Sequence, residues 1–93
     1  MQSMVCGNCG ASWTEPDMLT DEQRCEVAAL VRSGTEIAAM RQIREGNQLS
    51  LRDAKAIALH ITRTPGTCHR CSYPLGGEAT AHCPYCRAIN YDW

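Results

Sequence analysis

The chain has 93 residues and a formal net charge of −1, and it contains two Trp, three Tyr and no Phe. A chain of this length and composition buries only a thin core, so a metal or disulfide cross-link is expected to stabilise it. No apolar run approaches the roughly 20 residues that span a bilayer, and the start MQSMVCGNCG has no charged and then apolar leader, which together predict a cytoplasmic protein without a membrane span.

Seven cysteines can supply the cross-link, and six of them form three C-x-x-C pairs. Secreted disulfide frameworks have more varied spacings, so this pattern favours zinc bound by thiolates in a reducing compartment. The first pair, Cys6 and Cys9, lies in VCGNCGASW, which lacks helical periodicity. This stretch predicts a zinc-knuckle-like turn with short strands, followed by an acidic segment.

Three helices are predicted next, each beginning at a capping residue. Thr20 and Gln23 fit a capping box for a helix over about residues 21–33. Thr35 caps a second helix that ends at Gly46, and Ser50 caps a third that runs to about residue 63. The apolar positions expected to face the core are Val27, Leu30 and Val31 in the first helix, Ile37, Ala38, Met40 and Ile43 in the second, and Leu51, Ala54, Ile57, Ala58 and Ile61 in the third.

The second and third helices form a predicted helical hairpin, and the run IAAMRQIREGNQLSLRDAKAI resembles the first two helices of the C-terminal domain of the bacterial ribosomal stalk protein. In that family the hairpin docks translational GTPases. The resemblance therefore implies a protein-docking face made by Arg41, Arg44, Arg52 and Lys55. The chain departs from the family in its turn, where Asn47, Gln48 and Ser50 replace glycines. It departs again after the hairpin, where a cysteine-rich segment takes the place of the family's strands and third helix.

Cys68, Cys71, Cys83 and Cys86 spell C-x2-C-x11-C-x2-C. Two C-x-x-C turns joined by a hairpin of this length can point four thiolates at one zinc ion, which closes its coordination shell and makes the site structural. The last 27 residues resemble a zinc ribbon with knuckles TCHRC and HCPYC. Within it, SYPLGGEATAH is expected to reverse the chain between two short strands, and RAINYDW is expected to end it as a strand.

Cys6 and Cys9 are then a pair in excess of the four ribbon ligands, and three roles are possible for them. They can bind a second zinc ion completed by Cys25 and a histidine such as His82, or by the same knuckle of a second chain in a homodimer. They can instead form a free redox-active dithiol, or exchange with a ribbon knuckle. Cys25 is predicted to point away from the core, and His60 reads as an ordinary surface residue on the flank of the third helix.

Taken together, these features predict a small α+β zinc protein. Its three-helix segment (residues 20–64) is flanked by an N-terminal knuckle with an acidic segment (1–19) and a C-terminal zinc ribbon (65–93). Residues 1–31 hold one basic and five acidic residues, whereas residues 32–70 hold seven basic and three acidic ones. This segregation is typical of a solvated surface or of a docking face, and it would also let the acidic stretch from Glu15 to Glu26 mask the basic hairpin.

The function expected from these features is a non-enzymatic adaptor that docks a protein partner through the basic hairpin. No Ser-His-Asp set, paired carboxylates, phosphate loop or open zinc pattern is found, which argues against an enzyme. A redox- or metal-responsive regulator using Cys6 and Cys9 is one alternative. A nucleic-acid-binding zinc ribbon is another, although the slightly acidic chain lacks a dense basic stripe. Its contact residues would be Arg63, Arg70, Arg87, Tyr73, Tyr85 and Trp93.

Overall fold

The computed structural model describes residues 3–16, 19–47 and 49–93, so Asp17 of the predicted acidic segment and Gln48 of the predicted hairpin turn lie outside the described residues. The elements in chain order are β1 (Ser3–Val5), β2 (Ser12–Thr14), α1 (Asp21–Arg32), α2 (Glu36–Asn47), α3 (Leu51–Leu59), β3 (Thr80–His82) and β4 (Ile89–Tyr91). Within these residues, each helix is too short and too polar to traverse a lipid bilayer.

The predicted helix starts at Thr20 and Ser50 are confirmed. The Gln23 N–H donates to Thr20 Oγ1 at 3.2 Å, while the Thr20 N–H donates to Gln23 Oε1 at 2.9 Å, which completes the capping box of α1. Ser50 Oγ accepts from the Asp53 N–H at 3.2 Å at the start of α3. Local sequence therefore determines where these helices begin.

The predicted end of the third helix near residue 63 is wrong, because α3 stops at Leu59 with His60 as its C-cap. Beyond the cap the chain pairs with the last strand. Tyr91 donates its N–H to His60 O at 2.9 Å, the Thr62 N–H donates to Tyr91 O at 3.0 Å, and Ile61 forms a parallel bridge with Tyr91. Pairing with a strand 30 residues away replaces the last helical turn.

The predicted apolar faces need one correction in each of α2 and α3. Ile37 is 71% exposed and Leu51 is 56% exposed, although both were expected to face the core. Because α2 packs against both α1 and α3, its buried stripe centres on Ala39 and Ile43, which lie one helical turn apart. Ile37 lies about 200° around the helix from Ala39, and its side chain therefore points to solvent.

Both sheets are two-stranded and antiparallel, and a cysteine knuckle connects the strands in each. β1 pairs with β2 so that Met4 lies opposite Trp13, and β3 pairs with β4 so that Ala81 lies opposite Asn90. The chain reverses between β3 and β4 at the knuckle of Cys83 and Cys86. The reversal expected in SYPLGGEATAH is thus misplaced, and the bridge found there pairs Thr67 with Pro74 around the preceding knuckle.

The buried residues of the N-terminal hairpin, the helices and the ribbon belong to one cluster. At its centre, the indole N–H of Trp13 in β2 donates to the hydroxyl of Tyr91 in β4 at 2.9 Å. Arg32 at the end of α1 donates to Thr62 O at 3.0 Å and to Trp93 O at 2.9 Å. These contacts hold the last strand against the helices and bring the two outer cysteine-rich segments together.

Candidate metal centres

The three C-x-x-C turns share one backbone conformation. In each, the N–H four residues after the first cysteine donates to that cysteine's carbonyl, and the cysteine's own N–H donates to the carbonyl five residues ahead. These bonds are 2.9 or 3.0 Å long in all three turns. The residue directly after the second cysteine has a positive φ, which is 74° at Gly10, 64° at Ser72 and 68° at Arg87. The knuckle predicted at each pair therefore forms.

The four ribbon cysteines lie together, as their spacing predicted. Cys68 Sγ is 3.6 Å from Cys86 Sγ, Cys71 Sγ is 3.6 Å from Cys83 Sγ, and all four sulfurs lie within 4.8 Å of one another. A tetrahedral zinc site with Zn–S bonds of about 2.3 Å separates its sulfurs by about 3.8 Å. This group can hold a metal ion, and its geometry and soft donors fit zinc.

Hydrogen bonds to sulfur prepare the ribbon group for metal. Burial alone raises the pKa of the Cys68 thiol, but N–H donors of Cys71 and Arg70 and the side chains of Asn90 and Cys86 outweigh it and lower the pKa to about 6. Burial and the neighbouring thiols raise the pKa of Cys86 to about 12. Without metal Cys86 is thus protonated at neutral pH, and metal binding must release its proton.

A second group consists of Cys6, Cys9 and His60, whose donor atoms also lie within 4.8 Å of one another. Cys9 Sγ is 3.5 Å from His60 Nε2. Tetrahedral zinc with Zn–S of about 2.3 Å and Zn–N of about 2.0–2.1 Å would place these atoms about 3.6 Å apart. This group can therefore hold a metal ion too, and its donors also fit zinc.

His60 is held in the form that can bind a metal. Its Nδ1 lies 2.6 Å from the carbonyl of Ala56, which can only accept, so Nδ1 carries the proton and Nε2 has a free lone pair. Burial lowers the pKa of His60, as do the neighbouring His69 and Arg70, while the bond to Ala56 acts the other way. The ring also packs on Trp13, with 4.3 Å between ring centroids.

The structure corrects the donors predicted to complete the Cys6–Cys9 pair. Cys25 is exposed on α1, as its helical position predicted, and His82 is exposed on β3; neither belongs to the second group. The histidine that lies beside the pair is His60, which is 5% exposed and not the surface residue that helical periodicity indicated. His60 is buried because β2 packs on its flank of α3, with Trp13 against the imidazole, and helical periodicity alone does not show this contact.

The N-terminal knuckle lies directly against the second knuckle of the ribbon. Asn8 Nδ2 donates to Cys86 O at 2.9 Å. A Cβ on Gly7 would lie 3.0 Å from the carbonyl oxygen of Arg87, so a side chain there would crowd the backbone of the ribbon knuckle. Within the ribbon, buried Asn90 accepts from His69 Nδ1 at 2.6 Å and donates to Cys68 Sγ at 3.5 Å. Short contacts therefore link the two candidate metal centres.

The predicted partner-binding residues do not share one cavity, and Arg41 and Arg44 also line a pocket of about 380 Å³ with Glu45 and Leu49. Arg52 and Lys55 line a cavity of about 440 Å³ whose wall also includes Cys9 and His60 of the second group. A separate groove of about 170 Å³ has five lining residues, which are Ile37, Met40, Arg41, Arg44 and Leu51. The basic face expected on the hairpin is thus divided between a cavity at the second cysteine group and an apolar groove.

The ion pairs of the described residues are Arg32–Asp92 and Arg63–Glu36. Neither joins the acidic stretch that begins at Glu15 to the basic hairpin, so the predicted internal mask finds no support among these contacts. No family model, curated protein or solved structure matches this chain. Functional inference therefore rests on the chemistry of the two cysteine groups and of the cavities beside them.

Proposed function

We propose that the protein is a small, zinc-stapled, non-enzymatic adaptor that docks a protein partner through its helical hairpin. Zinc bound by the four ribbon cysteines holds the strands that pack on the helices. The observation that carries the proposal is the exposure of Ile37 and Leu51, 71% and 56%, in one groove with Arg41 and Arg44. Large apolar side chains left in solvent beside cations are typical of a docking site.

The groove fits a partner segment that combines an apolar side chain with acidic residues. Ile37, Met40 and Leu51 offer an apolar surface, and the two guanidinium groups stand beside it. Within the described residues, neither arginine forms an ion pair, so both charges are open to an acidic partner. The resemblance to the ribosomal stalk hairpin, which docks proteins through its helices, agrees with this use.

A peptide library displayed on phage tests the docking proposal when it is selected on the full-length, zinc-loaded protein. The expected peptides pair one or two large apolar residues with Asp or Glu. Their affinity for the Arg41→Glu/Arg44→Glu variant should fall at least about tenfold, because two favourable charge contacts become repulsive. Since Arg44 Nε lies 3.5 Å from Leu49 O near the hairpin turn, circular dichroism must show that this variant keeps its helices.

The matched control is Arg52→Glu/Lys55→Glu, which makes the same change of charge on α3 but outside the groove. Its peptide affinity should stay close to that of the unchanged protein. Selected peptides that bind both variants equally, or that lack acidic residues, would refute docking in the groove.

A nucleic-acid-binding ribbon is the second candidate, and a pair of exposed tyrosines favours it. The rings of Tyr73 and Tyr85 are nearly parallel, 5° apart in plane with centroids 6.0 Å apart, and the residues are 41% and 76% exposed. Bases stack on such rings. The other predicted contacts are less available, since Arg63 pairs with Glu36 and Trp93 packs on Tyr91.

Fluorescence anisotropy with a single-stranded oligonucleotide tests this candidate. Nucleic-acid binding predicts an affinity that falls steeply with added salt and falls again in Tyr73→Ala/Tyr85→Ala. Unaltered affinity in that variant would exclude stacking on the tyrosine pair.

A further inference from the structure

We propose that Cys6, Cys9 and His60 bind a second zinc ion through three protein ligands, and that a small oxyanion from the adjoining basic cavity occupies its fourth position. This inference does not depend on docking in the Arg41–Arg44 groove. It concerns a different cavity and a different ligand.

The three donors meet the requirements of a zinc site. Cys6 is 1% exposed, and its sulfur lies within 4.8 Å of the donor atoms of Cys9 and His60. Cys9 Sγ and His60 Nε2 are at nearly the separation that tetrahedral zinc requires. The carbonyl of Ala56 orients the imidazole, as an outer-shell acceptor does in known zinc sites.

The described residues supply three donors to this group, whereas zinc takes four ligands. His69 is a further histidine close to the group, with its ring centroid 5.1 Å from that of His60. Asn90 Oδ1 accepts from both the backbone N–H and Nδ1 of His69, at 2.8 and 2.6 Å, which fixes the ring outside the three-donor group. The fourth position is therefore left to a ligand from outside the chain.

The adjoining cavity provides room for that ligand. Its volume is about 440 Å³, within the range of small-molecule sites. Cys9 and His60 form part of its wall, so the metal position borders the cavity directly. A site with three protein ligands and one accessible position is the arrangement in which zinc binds water or a substrate.

Charge selects an anion for this cavity. Arg52, Lys55 and Arg70 line it, and none of the described lining residues is acidic. Zinc with two thiolates and a neutral imidazole carries no net charge, so an oxyanion in the fourth position makes the centre negative. The three surrounding cations offset that charge. Binding exchanges a zinc-bound water for an oxygen of the anion, and no redox or group-transfer step is involved.

Metal counting tests the three-ligand site. Native mass spectrometry of the full chain loaded with Co²⁺ should show two ions per chain, and Cys9→Ser should show one. Cys9 is exposed, so this change removes a donor without opening the core. Cys25→Ser is the matched control, since it replaces another exposed cysteine and should keep two ions. One ion in the unchanged protein, or two in Cys9→Ser, would overturn the site.

Loss of one ion in Cys9→Ser is meaningful only if the ribbon is intact. The visible absorption of Co²⁺ bound to four thiolates should persist in that variant. His69→Ala separates an open site from a closed one: it should keep two ions, whereas loss of the second ion would make His69 the fourth ligand and refute the oxyanion position.

Titration with anions tests the fourth position. Acetate and inorganic phosphate are added separately to the Co²⁺-loaded protein at constant ionic strength, and a saturable change in the absorption of the second site is expected. A response to acetate alone identifies a carboxylate site, a response to phosphate alone identifies a phosphate site, and either supports the proposal. No response to either anion would overturn it.

The charge variants separate this site from the docking groove. Arg52→Glu/Lys55→Glu should lower the affinity for the anion by roughly tenfold or more, because two attractive charges become repulsive. Arg41→Glu/Arg44→Glu should leave the anion titration unchanged. Equal weakening in both variants would mean that the response reports the overall charge and not binding in the cavity.

Discussion

Replacing Cys83 by serine tests whether metal at the ribbon stabilises the whole fold. A chain of this length has a free energy of unfolding of about 5–14 kcal/mol. Zinc bound by a structural site contributes about 10–16 kcal/mol. A serine hydroxyl stays protonated and does not replace a thiolate, so Cys83→Ser removes a contribution comparable to the entire stability.

The structure indicates how far this loss spreads. Cys83 is 1% exposed and begins the knuckle between β3 and β4. β4 carries Ile89 and Tyr91, each 1% exposed in the shared core, and Tyr91 accepts the hydrogen bond from Trp13. If the ribbon opens, these side chains lose their packing against the helices. We therefore expect the helical segment to be destabilised together with the ribbon.

Thermal unfolding followed by circular dichroism, together with zinc content per chain, provides the assay. For a domain of this size each kcal/mol lowers the midpoint by about 4–8 °C, so a loss above about 5 kcal/mol should abolish the cooperative transition. Treating the unchanged protein with a strong chelator should have the same effect. Cys25→Ser, an exposed cysteine outside both metal groups, should keep the original midpoint. A Cys83→Ser protein that keeps its zinc and its midpoint would refute the reasoning.

Three further predictions concern the contacts around the knuckles and the core. Burial raises the pKa of Tyr91 to about 12 despite the bond from Trp13, so about 3 kcal/mol of stability should be fully present below about pH 10 and lost as the pH rises through 12. Unfolding measured across this range should show the loss, and Tyr91→Phe should not. Gly7→Ala brings Cβ within 3.0 Å of the backbone of Arg87 and should cost about 1–3 kcal/mol in denaturant unfolding, whereas Gly76→Ala, which meets nothing within 4 Å, should cost much less. Arg87 has a φ of 68°, which is unfavourable for a residue with a Cβ, so Arg87→Gly should stabilise the protein by up to about 1 kcal/mol and raise its thermal midpoint. A lower midpoint would contradict the assigned backbone conformation.

Features that depend on a few neighbouring residues were predictable from the sequence. The capping box of Thr20 and Gln23 and the cap at Ser50 are local hydrogen bonds, and they form as predicted. The grouping of the ribbon cysteines was equally predictable, because each C-x-x-C turn determines its own backbone and the loop between the two turns has a length typical of a shared zinc site. Cys25 was also placed correctly off the core face of α1.

Features that depend on distant contacts were not predictable. The hairpin alone gave no reason for Ile37 to be exposed, because α2 takes its orientation from α1 as well as α3. The early end of α3 depends on pairing between residues 60–62 and Tyr91. His60 was overlooked as a donor because β2, which covers its flank of α3, comes from a distant part of the chain. Its signal in the sequence was only its position shortly before Pro65, where a helix is expected to end.

The odd number of C-x-x-C pairs and the early end of α3 have a common consequence. Two knuckles face each other across the ribbon and provide four thiolates, which completes a tetrahedral set. The third has the same backbone, but among the described residues no other knuckle adds its thiols to the donor group. It meets the end of α3 instead, where His60 offers a single nitrogen because its other ring nitrogen bonds to Ala56 O. A knuckle matched with one histidine is one donor short of a closed shell. This shortfall makes the second group the one in which a metal would remain open to a ligand, and the cations that line the cavity beside it determine which ligands can enter.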